Sequence, residues 1–244
     1  MKKIFHLFVM VLFLLNGGCE TAKQQTKKTE PIREETINNN SSDIHGNNQT
    51  SELNEKSRSG KGVLKSKNYI YEGEVAEGKP HGNGKLSVYD DKGKLTTEIE
   101  GEFSNGETKG EVLVTNYDKN GKIISRFKGT MIDGSFDKYQ KGSLTAYDSR
   151  GNIISTYNGN FKDNKPHGKG ELIKYSVTGK IESRYNGNFS NGVPDGAGIL
   201  HEYDIDGNLA RKIEGNFFDG RPSGRVTISN YDKSGKLIST ITGE

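Results

Sequence analysis

The chain is short of most things that a thick core or a reactive centre is built from. Of its 244 residues, 30% are hydrophobic, none is Trp and one is Cys, at position 19. One Cys excludes an internal disulfide framework and any Cys-rich metal site. So low an apolar fraction argues against a two-layer core over the whole length. Neither sign of charge dominates: 35 Lys and Arg stand against 32 Asp and Glu, a formal net charge of +3. The basic footprint of a dedicated nucleic-acid binder is therefore missing, and no nucleic-acid partner is expected. No G-x-x-x-x-G-K-[ST] phosphate loop, kinase signature or G-x-S-x-G elbow occurs, and no cofactor is expected. What the chain does have is Gly, 32 residues of it. Its length suits one ordinary domain, or one domain plus a tail.

The one long apolar run lies at the start. Ile4 to Leu15 is apolar except for His6 and follows Lys2 and Lys3. It falls short of the roughly 20 residues that a spanning helix needs, so residues 1–18 are read as an export signal. The run closes on Leu15-Asn16-Gly17-Gly18-Cys19. This resembles the lipobox of bacterial lipoproteins, in which small residues precede a Cys that receives diacylglycerol. Gly17 and Gly18 fit; Asn16 stands where the box usually has Leu. The resemblance implies that Cys19 is the lipid-attachment residue, its acyl chains (palmitate among them) holding the protein at the cell membrane or outer membrane of a bacterial envelope. The alternative is an ordinary secretory signal with an incidental Cys, which would leave a free thiol in a secreted protein. Two or more acyl chains suffice for stable anchoring. Without Lys2 and Lys3, 33 basic residues face 32 acidic ones, a formal +1. Electrostatic docking on anionic lipid is therefore not expected to be the main attachment.

Residues 19–60 are read as the lipidated Cys followed by a disordered linker. Between Glu20 and Gly60 the hydrophobic residues are Ala22, Ile32, Ile37, Ile44 and Leu53, with no periodicity. Such a segment buries too little to offset its ordering entropy. About 40 residues of this kind have an r.m.s. reach on the order of 35 Å, enough to lift a folded part off a membrane.

From Tyr71 onward the chain repeats itself. Gly recurs at 73, 101, 129, 159, 187, 215 and 243, at intervals of 28 broken once by 30. Seven residues after the Gly stand Pro80, Pro166, Pro194 and Pro222, and a Tyr closes each unit at 89, 117, 147, 175, 203 and 231. A fixed period of this size means stacked supersecondary units. Within a unit the period is two: Leu95, Thr97, Ile99, Gly101 and Phe103 alternate with polar neighbours, as do Ile153, Ser155, Tyr157, Gly159 and Phe161. Such alternation is a strand with one buried face. A mid-strand Gly suggests close approach by an aromatic neighbour or a bend.

A second, shorter strand of about eight residues is expected from His81 through Tyr89 and its equivalents. Leu86 and Tyr89 cannot share a face of a regular strand, so a bulge or strong twist is expected before the Tyr. Asp118-Lys119-Asn120-Gly121 reads as a type I turn ending in a left-handed Gly. Asn191 to Gly196 reads as a second turn, of about six residues. The expected fold is all-β, an elongated single-layer antiparallel meander of about a dozen strands, advancing about 10 Å per unit and about 60 Å in all.

This pattern resembles the MORN (membrane occupation and recognition nexus) repeat. The residues that carry the resemblance are Tyr71-Glu72-Gly73-Glu74-Val75 with Gly78-Lys79-Pro80-His81-Gly82-Asn83-Gly84, and their counterparts at 157–170 and 185–189. The Tyr-Asp-x-x-Gly-Lys hairpin lengthens the unit, as in the bacterial MORN variants. The likeness covers 61–244, about six repeats plus a partial first one at Gly60 to Leu64. The third unit departs at Ser135–Gln140, and Val75, Ile99 and Met131 interrupt the aromatic ladder. The family implies a β-hairpin array with scaffolding or contact roles.

Candidate chemistry is thin. His81 and His167 share one phase three units apart, about 30 Å, too far to share a metal or a proton. Asp204-Ile205-Asp206-Gly207 lacks the later ligands of a calcium loop and sits in turn phase. No metal or catalytic residue is expected. The expected role is a non-enzymatic, membrane-anchored binding or scaffolding module. Its binding residues are the aromatic face: Tyr71, Phe103, Phe127, Tyr157, Phe161, Tyr185, Phe189 and Phe217. A protein or glycan partner is expected, with self-association through edge strands. The alternatives are a glycan or lipid head-group module, or an antitoxin- or immunity-like protein.

Overall fold

The computed structural model describes residues 59–131 and 140–243. The export signal, Cys19, nearly all of the linker and most of the 135–140 insertion lie outside the described residues. Fourteen strands run in chain order: β1 Gly60–Ser66, β2 Tyr69–Ala76, β3 Lys79–Tyr89, β4 Leu95–Ser104, β5 Glu107–Tyr117, β6 Ile123–Met131 and β7 Gln140–Tyr147. They continue as β8 Ile153–Lys162, β9 Lys165–Tyr175, β10 Ile181–Ser190, β11 Val193–Tyr203, β12 Leu209–Phe218, β13 Arg221–Tyr231 and β14 Leu237–Gly243. Each pairs antiparallel with the next in one open sheet, and no helix occurs among the described residues. The all-β meander expected from the period is what forms.

The two ends of the strands are closed by different turns. At one end, Asp90 accepts from the backbone N–H of Lys92 and Lys94 at 2.9 and 2.8 Å, and the Gly93 N–H donates to the Asp90 carbonyl. The same geometry recurs at Asp118, Asp148, Asp204 and Asp232. This is the expected Asp-initiated turn with a left-handed Gly. The other end differs from the expectation. The loop is two residues, as at Glu77-Gly78, Asn105-Gly106 and Asn191-Gly192, with both residues at positive φ. That is the type I′ geometry whose twist suits a tight hairpin. The residues read as the rest of a six-residue turn, Val193 to Gly196, instead begin β11. The second strands are accordingly eleven residues long rather than eight.

Proline explains the misreading. Pro80, Pro166, Pro194 and Pro222 sit within strands, opposite Val75, Phe161, Phe189 and Phe217. Three of these lie beside a register shift, between Gly73 and Val75, Gly159 and Phe161, and Gly187 and Phe189, where the ladder is interrupted and a missing N–H is tolerated. The Pro carbonyl is used instead: Pro80, Pro166 and Pro194 accept from Gly106, Gly192 and Gly220 N–H of the next hairpin at 2.8–2.9 Å. One unit's turn is thereby tied to its neighbour's strand.

A register shift also falls before the closing Tyr, as expected, but the extra residue lies on the following strand. Tyr89 pairs with Leu95 and Val88 with Thr97, leaving Thr96 unopposed, its hydroxyl donating to the Val88 carbonyl. The interruption takes Leu95 and its equivalents out of the buried row. Ile153 is 42% exposed and Leu237 51% exposed.

The core is a set of side chains on one face, here the inner face. Its organising line is a row of directly paired positions that crosses all fourteen strands, from Gly62 through Gly73, Gly84 and Gly101 to Gly215, Val226 and Gly243. Twelve of the fourteen are Gly; the exceptions are Val112 and Val226. The reason is steric. A Cβ on Gly84 would lie 2.2 Å from the Tyr71 hydroxyl, and one on Gly170 would lie 2.3 Å from that of Tyr157. Each ring lies over two glycines, one on its own strand and one on the next. Where the row carries Val, the ring is gone: Ile99 pairs beside Val112 and Ile213 beside Val226. Large-plus-Gly and medium-plus-Val fill the same space.

Candidate binding surfaces

The eight aromatic residues expected to present a binding face are all buried, none more than 6% exposed. They form the core. Phe127, Phe161, Tyr157, Phe189, Tyr185 and Phe217 make a continuous edge-to-face series with centroids 4.8–5.2 Å apart, and Tyr71 meets Phe103 at 5.0 Å. Each such pair contributes about 0.5–1.5 kcal/mol beyond the burial of its area. Rings committed to one another and to the glycine row are packing residues, and the binding role expected of them has no exposed ring face in this structure to rest on. The alternation placed the rings on a buried face but could not show how completely a single sheet covers them.

The Tyr hydroxyls are likewise committed. Tyr71 donates to the Glu74 and His81 carbonyls at 2.8 and 3.0 Å, Tyr157 to Asn160 at 2.8 Å and Tyr185 to Asn188 at 3.1 Å. Glu74, Asn160 and Asn188 each directly follow the mid-strand Gly, and His81 lies on the strand opposite, so the ring both fills the core and satisfies the bulge. Burial raises the pKa of all three hydroxyls, that of Tyr185 to about 12. None of the three is a proton donor or nucleophile near neutral pH. His81 serves through its backbone. Among the described residues no group of three His, Cys, Asp or Glu could hold a metal ion. The Asp204 carboxylate binds its own turn and Asn208.

The opposite, outer face carries the chemistry that remains. Toward β2–β5 it is mixed and mutually satisfied. Lys85 lies against Glu98, and Tyr117 donates to the same carboxylate. Burial acts to raise Glu98, but the bonds from Lys85 and Tyr117 outweigh it and hold the carboxyl below its usual range. Tyr117 is pushed up to about 12, by burial first and then by Glu98.

Toward β10–β12 the register produces something else. Arg184, His201 and Lys212 are consecutive cross-strand partners, three basic side chains in one line on three adjacent strands. Lys212 is held by Glu214 at 2.7 Å, while the Arg184 Nε lies 3.7 Å from Glu171. The Arg184 Nε and His201 Nδ1 are buried with no hydrogen bond. Burial, then Lys212, then Arg184 lower the His201 pKa, so the imidazole favours its neutral form. These residues are 17 and 11 positions apart in sequence. They escaped the sequence reading because only the strand register brings them together; a tally of outer-face residues by repeat phase is the signal that finds them.

The geometry thus defines a class: a one-dimensional array of β-hairpins, each paired with its neighbours, with a ring-and-glycine core and a largely polar outer face. Comparison with known families agrees. The MORN repeat model matches residues 71–87, 157–176 and 185–201, so the chain carries MORN repeats at three places. All three matched segments begin at a Tyr of the Tyr-plus-Gly kind. No curated protein matches the chain.

Proposed function

We propose that this protein is a non-catalytic, lipid-anchored scaffold of the bacterial envelope that binds a protein partner through the outer face of its sheet. MORN repeats make it a repeat-based binding or scaffold module. The observation that carries the reading is the division of labour between faces: the rings are consumed by the core, whereas the outer face offers polar side chains along the whole sheet. In an array of this kind, equivalent side chains of successive units stand about 10 Å apart, which suits an extended contact rather than a convergent catalytic centre. Residues 1–18 would serve as the export signal, Cys19 as the acylated residue and the linker to 60 as a spacer.

Two measurements test this. A photo-crosslinking residue at Asn186, exposed on the outer face, is expected to give a discrete adduct in cells. Adducts that arise from strand-edge positions and never from Asn186 would move binding elsewhere. Metabolic labelling with a clickable fatty acid is expected to mark the wild type and not Cys19→Ala; equal label in both would remove the anchor.

A second reading, contact with anionic lipid head groups, is favoured by the Arg184–His201–Lys212 line. It predicts that the Cys19→Ser chain floats with anionic vesicles, and not with zwitterionic ones, until Arg184→Ser and Lys212→Ser are introduced.

A further inference from the structure

The repeat unit is divided between the two edges of the sheet. Every internal unit pairs a first-half strand, such as β2 or β4, with a second-half strand, such as β3 or β5. β1 is a second-half strand: Gly60-Lys61-Gly62-Val63-Leu64 matches Gly82-Asn83-Gly84-Lys85-Leu86 in phase. β14 is a first-half strand: Leu237 to Gly243 matches Leu95 to Gly101. Among the described residues no strand pairs outside either of them. We propose that β14 of one copy of this chain pairs with β1 of a second copy, completing a repeat at the junction and joining the sheets head to tail. This rests on the repeat register, independently of the anchoring and partner-binding reading above.

Polarity, register, burial and charge all fit. Neighbouring strands are antiparallel throughout and there are fourteen of them, so a second copy in the same orientation brings its β1 antiparallel to β14. The internal pattern, in which Ile99 faces Val114 and Gly101 faces Val112, sets the junction. Gly243 meets the second copy's Gly62, Ile241 its Leu64, Thr240 its Lys65 and Ser239 its Ser66. Ile241 is 60% exposed, whereas its row-mates Ile99 and Ile213 are buried. Val63, on β1, is 48% exposed. The seven residues of β14 carry no charge, while β1 carries Lys61 and Lys65. A β1 edge is thus guarded against another β1 but meets no opposing charge on β14.

The junction is also looser than an internal one. Ile99 and Ile213 have Val beside them in the glycine row, but Ile241 would have Gly62. With five residue pairs and an underfilled row, the contact is expected to be reversible and dependent on concentration or on crowding at a surface.

The test uses the full chain carrying Cys19→Ser. Directly opposed antiparallel residues have Cα atoms about 4.5–5.5 Å apart, within disulfide reach. Mixed under oxidation, differently tagged Thr240→Cys and Lys65→Cys chains are expected to give the mixed disulfide in several-fold excess over either homodimer. A dominant Thr240→Cys homodimer would show a symmetric β14–β14 contact instead, and absence of the mixed species at all concentrations would also overturn the proposal. As a gain-of-function arm, Ile241→Tyr restores the ring that Gly62 and Gly243 leave room for. It is expected to lower the concentration for half-association by about tenfold in sedimentation, and no change would contradict the packing at the junction.

Discussion

The β2–β3 and β4–β5 hairpins perform the same task with different side chains. In the first, Tyr71 lies over Gly73 and Gly84, and its hydroxyl satisfies two carbonyls of the bulge. In the second, Ile99 sits beside Gly101 and Val112, and no hydroxyl is available. The bulge changes with it. The register shift falls between Gly73 and Val75 in one and between Gly101 and Glu102 in the other. β12–β13 repeats the second solution with Ile213, Gly215 and Val226, its shift falling between Gly215 and Asn216. What is kept from unit to unit is therefore the filled volume above the glycine row, and the residue types are free to exchange as a set. The matched MORN segments all belong to the Tyr solution, so the Ile units are repeats that a pattern built on Tyr and Gly passes over.

The comparison can be broken most severely at a glycine. Gly170→Val would place side-chain atoms inside the Tyr157 ring, whose atoms lie 2.3–2.6 Å from the ideal Cβ. A loss of about 3 kcal/mol or more is expected in urea unfolding, with partial recovery when Tyr157→Ile is added. Val112→Gly comes next. It opens a space beside Ile99 and loosens a strand interior, for an expected loss of about 2–3 kcal/mol.

Smaller effects test what the two kinds of unit share. The Asp-initiated turn is local, so it should behave alike wherever it occurs. Hydrogen bonds from the Asn152 side chain and backbone, then from Arg150, hold the Asp148 carboxyl at about 2, against 3.8 in the unfolded chain. The folded state thus binds protons less readily. The turn's stabilisation is complete above pH 3.8 and is lost as pH falls toward 2. Asp148→Ala should flatten that part of the stability curve, and Asp118→Ala should do the same, since its carboxyl is lowered chiefly by the Lys122 N–H. The smallest effect belongs to His201. Its lowered pKa means that the unfolded state takes up the proton first. Stability is full above pH 6.5 and declines below it, and His201→Gln should remove that slope.

The legible parts of this fold were those written locally. The 28-residue spacing of Gly, Pro and Tyr, the alternation within strands and the Asp-x-x-Gly turns each depend on a few adjacent residues, and each corresponds to an observed element. Pro80 and its equivalents misled because a strand interior rarely accepts Pro; the bulge that accommodates it is set by the opposite strand. Val112 and Val226 likewise look like ordinary strand residues until pairing places them in the glycine row. For the site, the alternation placed the rings on a buried face but could not show how completely they are covered, and the Arg184–His201–Lys212 line exists only across three strands. Phase within a repeat is local information, whereas which face is covered and what stands beside it are properties of the assembled sheet.

The two packing solutions are interchangeable as sets and incompatible when mixed. A double-mutant cycle on the β4–β5 unit measures it: Ile99→Tyr, Val112→Gly and the two together, each followed by urea unfolding. Both single variants are expected to be destabilised, with the pair recovering at least about 1 kcal/mol relative to their sum. Additive losses would contradict the account.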